Sequence, residues 1–442
     1  MKYTEFLSQF SNKSLTQTSS RSFSTKKLNI DQSSLNIDEK VFGLFEEYAQ
    51  NNNFIEKFNE LMNGQRLNNT ENREVTHFKY RNTGSDIYEA SLNKMEALAS
   101  EIKDSYKKIL IFGIGGSYLG PKLMEDIFSS KELEIDFITG SDPSEYEKYA
   151  EQDLSDCAFV ITSKSFSTIE TLTSYDAITK GKLLDQTYAV TSVVKKAETF
   201  GISSNNIAEI DIGTGGRFSI WSAVNLGLFI RLGRDGFKDF LKGGKAIDDL
   251  SSSNIENNPA LSLAIQDLIM NNLLQMDSTL ILNYDYKLRN FPSYIQQLEM
   301  ESLGKSVDRD TGESLPYETG SIVWGGNGPR SQHSFFQHLF QGTKEANTYF
   351  IVSKTDNLNF KQFKGQTASL MSGNDREPDL HKKVTKRRFS SLVLEDLSPE
   401  SIGELIAIWE NKTIFMSMFW NINPFDQWGV ELGKINTKKE IE

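Results

Sequence analysis

Short apolar runs that end in glycine, serine or threonine recur from Lys107 onward, and no other feature constrains the fold as tightly. KKILIFGIGG is followed, at intervals of about 20 to 30 residues, by IDFITGSDP, CAFVITSKS and TYAVTSV. Strands this short, apolar on both faces and separated by helix-sized segments, are what a parallel sheet built from right-handed βαβ units requires. A helical stretch from about residue 236 to 276 precedes a second set, STLILNY, GSIVWGG and NTYFIVS, with the amphipathic FPSYIQQLEMESLG between its members. Two α/β halves in tandem are therefore expected. Ahead of them, Val41, Leu44, Phe45 and Tyr48, then Phe54, Phe58 and Leu61, recur at helical spacing in a polar context, which predicts a helical lead-in. The resulting division is a helical segment over 1–75, a first α/β domain over 76–245 and a second, with C-terminal helices, over 246–442.

Composition narrows the function. With 48 Lys plus Arg against 60 Asp plus Glu the net charge is −12, the wrong sign for a surface that tracks nucleic-acid phosphates. One cysteine, Cys157, rules out an intrachain disulfide framework and suits a reducing compartment. Four histidines without a C-x-x-C or H-E-x-x-H pattern give no zinc site. MKYTEFLSQFSNK lacks the apolar core of a secretory signal, and no apolar run approaches the roughly 18 residues of a membrane span. These features describe a soluble, acidic, cytoplasmic protein with neither nucleic acid nor membrane as partner.

Four segments could carry chemistry. IFGIGGSYLGP, Ile111 to Pro121, has a strand running into glycines and then a helix, so backbone N–H groups face outward at the positive end of a helix dipole. It is either an anion-binding loop or a tight turn; as a dinucleotide fingerprint it fails, because Tyr118 stands where the third glycine belongs. In SKSFSTIET, Ser163, Lys164, Ser165, Ser167 and Thr168 place hydroxyls and a cation at a helix start, where they can wrap a phosphate; Ser167 or Thr168 can equally serve as an N-cap. Glu170, in the first turn, either complements the dipole or faces a substrate. In GTGGRFSIWSAVNLG, Arg217 follows two glycines, as an oxyanion stabiliser or as a structural ion pair. In FDQWGVELGK, Glu431 and Lys434 are spaced i, i+3, which taken alone makes a solvated pair. His333 and His338 read as structural, and His77 and His381 stand isolated.

In this order, NNTENREVTH, IFGIGGSYLGP, SKSFSTIET, GGRFSIWSAVNLG, QQLEMESLGKSVD, GSIVWGG with SQHSFFQ and QGTK, and FWNINPFDQWGVELGK resemble the glucose-6-phosphate isomerase family over about residues 68 to 434. The resemblance implies two SIS-type domains, each a parallel sheet flanked by helices, in a homodimer. It implies interconversion of glucose 6-phosphate and fructose 6-phosphate through a cis-enediolate, with hexose 6-phosphate as ligand and no metal or cofactor. Carried over, Ser163, Lys164, Ser165 and Thr168 hold the phosphate and Gly116 with Ser117 lines the sugar. Arg217 steadies the enediolate, Glu170 and Gln427 order the substrate, and Lys434 assists ring opening.

The same resemblance implies that a proton-transferring glutamate, after Trp-Gly, is replaced here by Gly326, and that a ring-opening histidine would fall near Asn357. Leu303 stands for an asparagine, and the sequence ends soon after Lys434. Glycine cannot supply a base, and a positioned base is worth about 10²- to 10⁴-fold. Two expectations follow: an isomerase with an altered base, for which Glu170 or Glu318 could stand in, or a sugar-phosphate-binding protein on the same fold. The retained Arg217 and Lys434 favour the isomerase.

Overall fold

The computed structural model describes residues 1–10, 15, 21–65, 68–149, 151–355 and 357–441. The lead-in is helical where the apolar periodicity places it. After α1 (Tyr3–Ser8) come α2 (Glu39–Asn51), which buries Val41, Phe42, Phe45 and Tyr48, and α3 (Phe54–Met62), which buries Phe54, Phe58 and Leu61. Between α1 and α2 the chain also makes a hairpin of β1 (Ser22–Ser24) and β2 (Leu28–Asp31), an element that helical spacing elsewhere in the segment does not announce.

The first sheet follows α4 (Asp86–Ser105). Its strands are β3 (Lys108–Phe112), β4 (Glu134–Ile138), β5 (Cys157–Thr162), β6 (Thr187–Thr191) and β7 (Ile207–Glu209), all parallel in the order β4-β3-β5-β6-β7. Helices α5 (Leu119–Phe128) and α6 (Ile169–Thr179) start from the loops after β3 and β5. Then α7 (Leu226–Ser253) and α8 (Pro259–Leu268) lead to the second sheet; the expected 245/246 junction falls within α7. In chain order β8 (Ser278–Asn283), α9 (Phe291–Leu303), β9 (Ile322–Asn327), β10 (Asn347–Ser353), α10 (Leu358–Ser372) and β11 (Phe389–Leu394) follow. Strands β8 to β11 are parallel, and β2 pairs antiparallel with β11, Ile30 opposite Leu392. The lead-in thus closes an edge of the second sheet that would otherwise expose unpaired backbone.

Two long helices join the halves: α7 and α11 (Pro399–Trp420). They approach closely because both present glycine. A Cβ on Gly243 would stand 2.1 Å from Glu400 O, and one on Gly403 2.2 Å from Phe240 O, so any larger residue would force the helices apart. Buried within this layer, Arg81 is held by Asp248 and Glu410, and Lys412 by Asp267 and Glu299. The last helix, α12 (Glu431–Ile441), buries none of its residues. Among the described residues no helix is long and apolar enough to cross a membrane.

Candidate active site

The site lies where the C-terminal ends of β3 and β5 meet the end of α9 and the segment from Asn423 to Gln427. After β5, Phe166 adopts a left-handed φ of 46° and buries its ring against Phe200, which turns the flanking hydroxyls outward. Thr168 occupies the N-cap position of α6 but does not cap it; its Oγ1 meets Ser163 Oγ at 2.8 Å, and Ser167 Oγ donates to Ser165 Oγ at 2.9 Å. The first-turn N–H groups of α6 are therefore left for an anion. Lys164 is half-buried, and while its carbonyl accepts from Ser192 N and Thr191 Oγ1, its ammonium has no hydrogen bond or ion pair among the described residues. Burial pulls its ammonium down to about 8, with Arg73 and Arg217 adding to the shift and Glu71 and Asp211 opposing it. An ammonium without a protein partner beside an open helix start is chemistry suited to an anion such as phosphate.

The Gly115–Ser117 turn packs directly on the turn carrying Arg217. A Cβ on Gly116 would stand 2.2 Å from Gly216 O, so only glycine lets the two loops meet. Arg217 is buried and spends its five N–H groups on five acceptors. Nε donates to Ser302 Oγ (2.7 Å), Nη2 to Pro424 O and Asp426 O (2.8 Å for the latter), and Nη1 to Gln427 Oε1 (3.2 Å) and Glu301 Oε2 (3.3 Å). Both longest bonds lie at Nη1, and their acceptors line an open cavity of about 650 Å³ with Thr70 and Lys305.

Glu301 and its partner Gln297 are the residues that the sequence reading passed over. They stand one helical turn apart on α9, Gln297 Nε2 donating to Glu301 Oε1 at 3.1 Å; that nitrogen is also 3.0 Å from where a Cβ of Gly115 would be. An i, i+4 Gln–Glu pair on the helix of QQLEMESLGK was the available signal.

Gly326 is elsewhere. Gln296 Nε2 donates to Val323 O at 2.7 Å, which fixes α9 alongside β9, and the crossover from β8 to the parallel β9 makes helix and strand antiparallel. Gly326 lies three residues up the strand from that contact and Glu301 five residues down the helix, a separation of roughly 17 Å along the layer. A side chain at 326 would meet Ser331 Oγ, at the C-terminal end of the parallel strands. Asn357 is at that end too, capping α10 through Phe360 N (3.0 Å), and Leu303 is core. Of the carboxylates that line the cavity, Glu301, Asp308 and Asp426, Glu301 is the one whose side chain accepts from Arg217.

The remaining residues divide. Glu170 is half-buried in the first turn of α6, near the cradle, whereas Glu318 is exposed at the mouth of the hairpin before β9. Gln427 joins the cleft through Arg217. Lys434 does not: it is exposed on α12, bonded to Glu431 Oε1 at 2.7 Å. His333 and His338 are exposed, while His77 is fully buried. Its ring stacks on Phe218 at 4.8 Å, and burial drives its pKa well below 6.5, so it is neutral.

A family model described as phosphoglucose isomerase matches residues 31–442. The chain belongs to the phosphoglucose isomerase family. The glucose-6-phosphate isomerase of Christiangramia forsetii is 33% identical over 466 residues, covering 92% of this chain and 85% of that protein. The enzyme of that name from Coxiella burnetii (strain RSA 493) is 34% identical with the same coverage. Among solved structures, a glucose-6-phosphate isomerase from Chlamydia trachomatis superposes with a TM-score of 0.89 at 26% identity, over 100% of this chain and 95% of that one. At 11% identity, tagatose-6-phosphate ketose/aldose isomerase from Escherichia coli shares the fold, with a TM-score of 0.51 over 80% of this chain and 97% of its own. Phosphoglucose isomerase membership thus agrees with the architecture of two helix-flanked sheets, the second carrying an antiparallel edge.

Proposed function

We propose that the chain interconverts glucose 6-phosphate and fructose 6-phosphate through a cis-enediolate, using Glu301 as the proton-transferring group. The observation that carries this reading is Arg217 Nη1, shared between Glu301 and Gln427 on the cavity wall. Ser163, Lys164, Ser165, Thr168 and the start of α6 take the phosphate, and Gly116 with Ser117 lines the sugar. The Glu301 carboxylate removes the proton from C2 of the open-chain aldose, and the electron pair moves through C1=C2 onto O1. Arg217 stabilises that oxyanion as a substrate oxygen replaces a protein acceptor at Nη1. The proton on O2 passes to O1, and the Glu301 acid returns its proton to C1. Glu170 orders the chain of the substrate from the start of α6.

Lys434 assists ring opening in this reading only if α12 moves toward the cleft. The exposed Trp428, Val430, Leu432 and Ile435 on and before α12 support a second copy of the chain as its cover, and hence a homodimer. A cytoplasmic setting, where hexose phosphates are handled, belongs to the same reading. So does the division at 75/76 and 245/246, supported by the two separate sheets, with β1 and β2 assigned to the second half.

A coupled assay of fructose 6-phosphate conversion, run on the purified chain beside Glu301→Gln, tests the proposal. Turnover in the wild type that collapses in Glu301→Gln is expected. A wild type without turnover that still binds 6-phosphogluconate would leave a sugar-phosphate-binding protein instead.

A further inference from the structure

Lys305 follows the end of α9 by two residues and is mostly buried, with 17% of its side chain exposed. Its Nζ is shared among the carbonyl oxygens of Glu301 (2.9 Å), Ser302 (3.2 Å), Asn423 (3.0 Å) and Asp426 (3.0 Å), and stands 3.3 Å from Asp426 Oδ1. Two of these carbonyls belong to the last turn of α9, where a helix leaves such groups unpaired and favours a cation. The other two belong to the segment that ends in Gln427. Arg217 grips both elements from the other side, through Ser302 Oγ, Pro424 O and Asp426 O. The seam is tied onward to the strand of polar residues before Arg73: Thr70 Oγ1 donates to Asp426 Oδ2 at 2.6 Å, and Asn423 Nδ2 to Asn68 Oδ1 at 2.9 Å.

We propose that Lys305 is a positioning residue for the isomerisation, clamping the end of α9 that carries Glu301 against the segment that carries Gln427, and so setting where the carboxylate stands relative to Arg217. The proposal rests on the isomerase reading above. Lys305 itself need not touch substrate. The charged groups facing it are Arg217 from the turn after β7, Asp426 from the C-terminal segment and Glu301 from α9; Glu71 faces Arg217 from the residue-70 segment, and Asp308 and Arg309 line the same cavity. Burial pulls the ammonium down to about 8, Arg217 acts in the same direction, and Asp426 and Glu301 oppose. Above that pH the amine loses its charge and one donor, the clamp slackens, and turnover falls.

The experiment measures kcat and KM for fructose 6-phosphate from pH 6 to 10 on the full chain, with thermal protection by 6-phosphogluconate alongside, for wild type, Lys305→Met and Lys305→Arg. In Lys305→Met, kcat should fall about 100-fold, the loss that a displacement of an ångström can cause, with protection by 6-phosphogluconate retained. In Lys305→Arg, which keeps its charge throughout, the alkaline limb of kcat near pH 8 should disappear, while the rise in KM that follows loss of charge at Lys164 remains. A Lys305→Met chain with kcat within about threefold of wild type overturns the clamp, as does an alkaline limb of kcat that persists in Lys305→Arg. Should Lys305→Met fail to fold, the Lys305→Arg profile decides. A wild type without turnover refutes the isomerase reading and the clamp with it, whereas an active wild type with unaltered variants refutes the clamp alone.

Discussion

Buried cations in two parts of this molecule are treated in opposite ways. Between α7 and α11, Arg81 makes a bidentate pair with Asp248 (2.8 and 2.9 Å) and a third bond to Glu410 (2.6 Å), and its plane lies 4.3 Å from the Trp221 ring centroid. Lys412 is likewise enclosed by Asp267 and Glu299. At the candidate site the Lys164 ammonium has no such partner among the described residues, and Arg217 spends its two longest bonds on side chains that face a cavity. A charge wholly paired by the protein has nothing left to offer a ligand, and breaking its pairing costs stability. A charge left short of partners pays in desolvation and is available to an incoming anion.

The largest expected effect lies on the cleft side. Glu301→Gln should lower kcat by about 10²- to 10⁴-fold while 6-phosphogluconate still raises the unfolding temperature, because the amide keeps the shape but cannot accept the proton. Equal activity in that variant would move the base to Glu170. On the interior side, Arg81→Met should destabilise the fold by about 3 to 5 kcal/mol, the cost of stranding Asp248 and Glu410 without their cation. Denaturant titration measures it, and a loss below about 1 kcal/mol would show the two regions to be less different than their geometry.

Smaller effects sharpen the contrast. Lys164→Met should weaken 6-phosphogluconate binding by about 10- to 100-fold, the worth of a hydrogen bond to a charged group, with the unfolding midpoint of the free protein unchanged or raised. A marked loss of stability there would mean that Lys164 is structural. For the interior, burial pushes Glu410 up to about 7 despite Arg81. Its folded pKa exceeds the ordinary carboxylate value, so the stability this group contributes is fully present below about pH 4.5 and is lost as pH rises through about 7. Glu410→Gln should flatten the decline in stability across that window, read from urea midpoints at each pH; an unchanged slope would sink the assignment. Smallest of all, Lys434→Ala should change stability by less than about 0.5 kcal/mol, since its partner Glu431 is equally exposed.

Apart from the three-residue β7, the strands of both sheets were legible from Lys107 to Ser353 because a buried parallel strand is apolar on both faces and needs no partner to be recognised. β11 was harder: FSSLVL has two serines after its first residue and follows the basic HKKVTKRR. The β1–β2 hairpin was illegible for a related reason, since its role is to cap the edge of β11, some 360 residues away. The SKSFST cradle was readable because its donors are consecutive in sequence. Glu301 was not, because what distinguishes it from any other glutamate on an amphipathic helix is Arg217, 84 residues earlier. Gly326 illustrates the complementary point: where a matched position stands relative to Arg217 is set by the packing of α9 on β9 and not by the sequence around it.

The sequence by itself determined the two α/β halves, the cluster of hydroxyls with Lys164 after β5 and the glycine turn that carries Arg217, since each is written in local periodicity or in adjacent residues. Only the tertiary structure decided that Glu301 stands against Arg217 at the cavity wall, that Lys305 ties α9 to the C-terminal segment, and that Lys434 is exposed on α12. Those outcomes depend on which ends of two sheets face each other, and that relation is set by packing between elements far apart in the chain rather than by the identity of any residue within them.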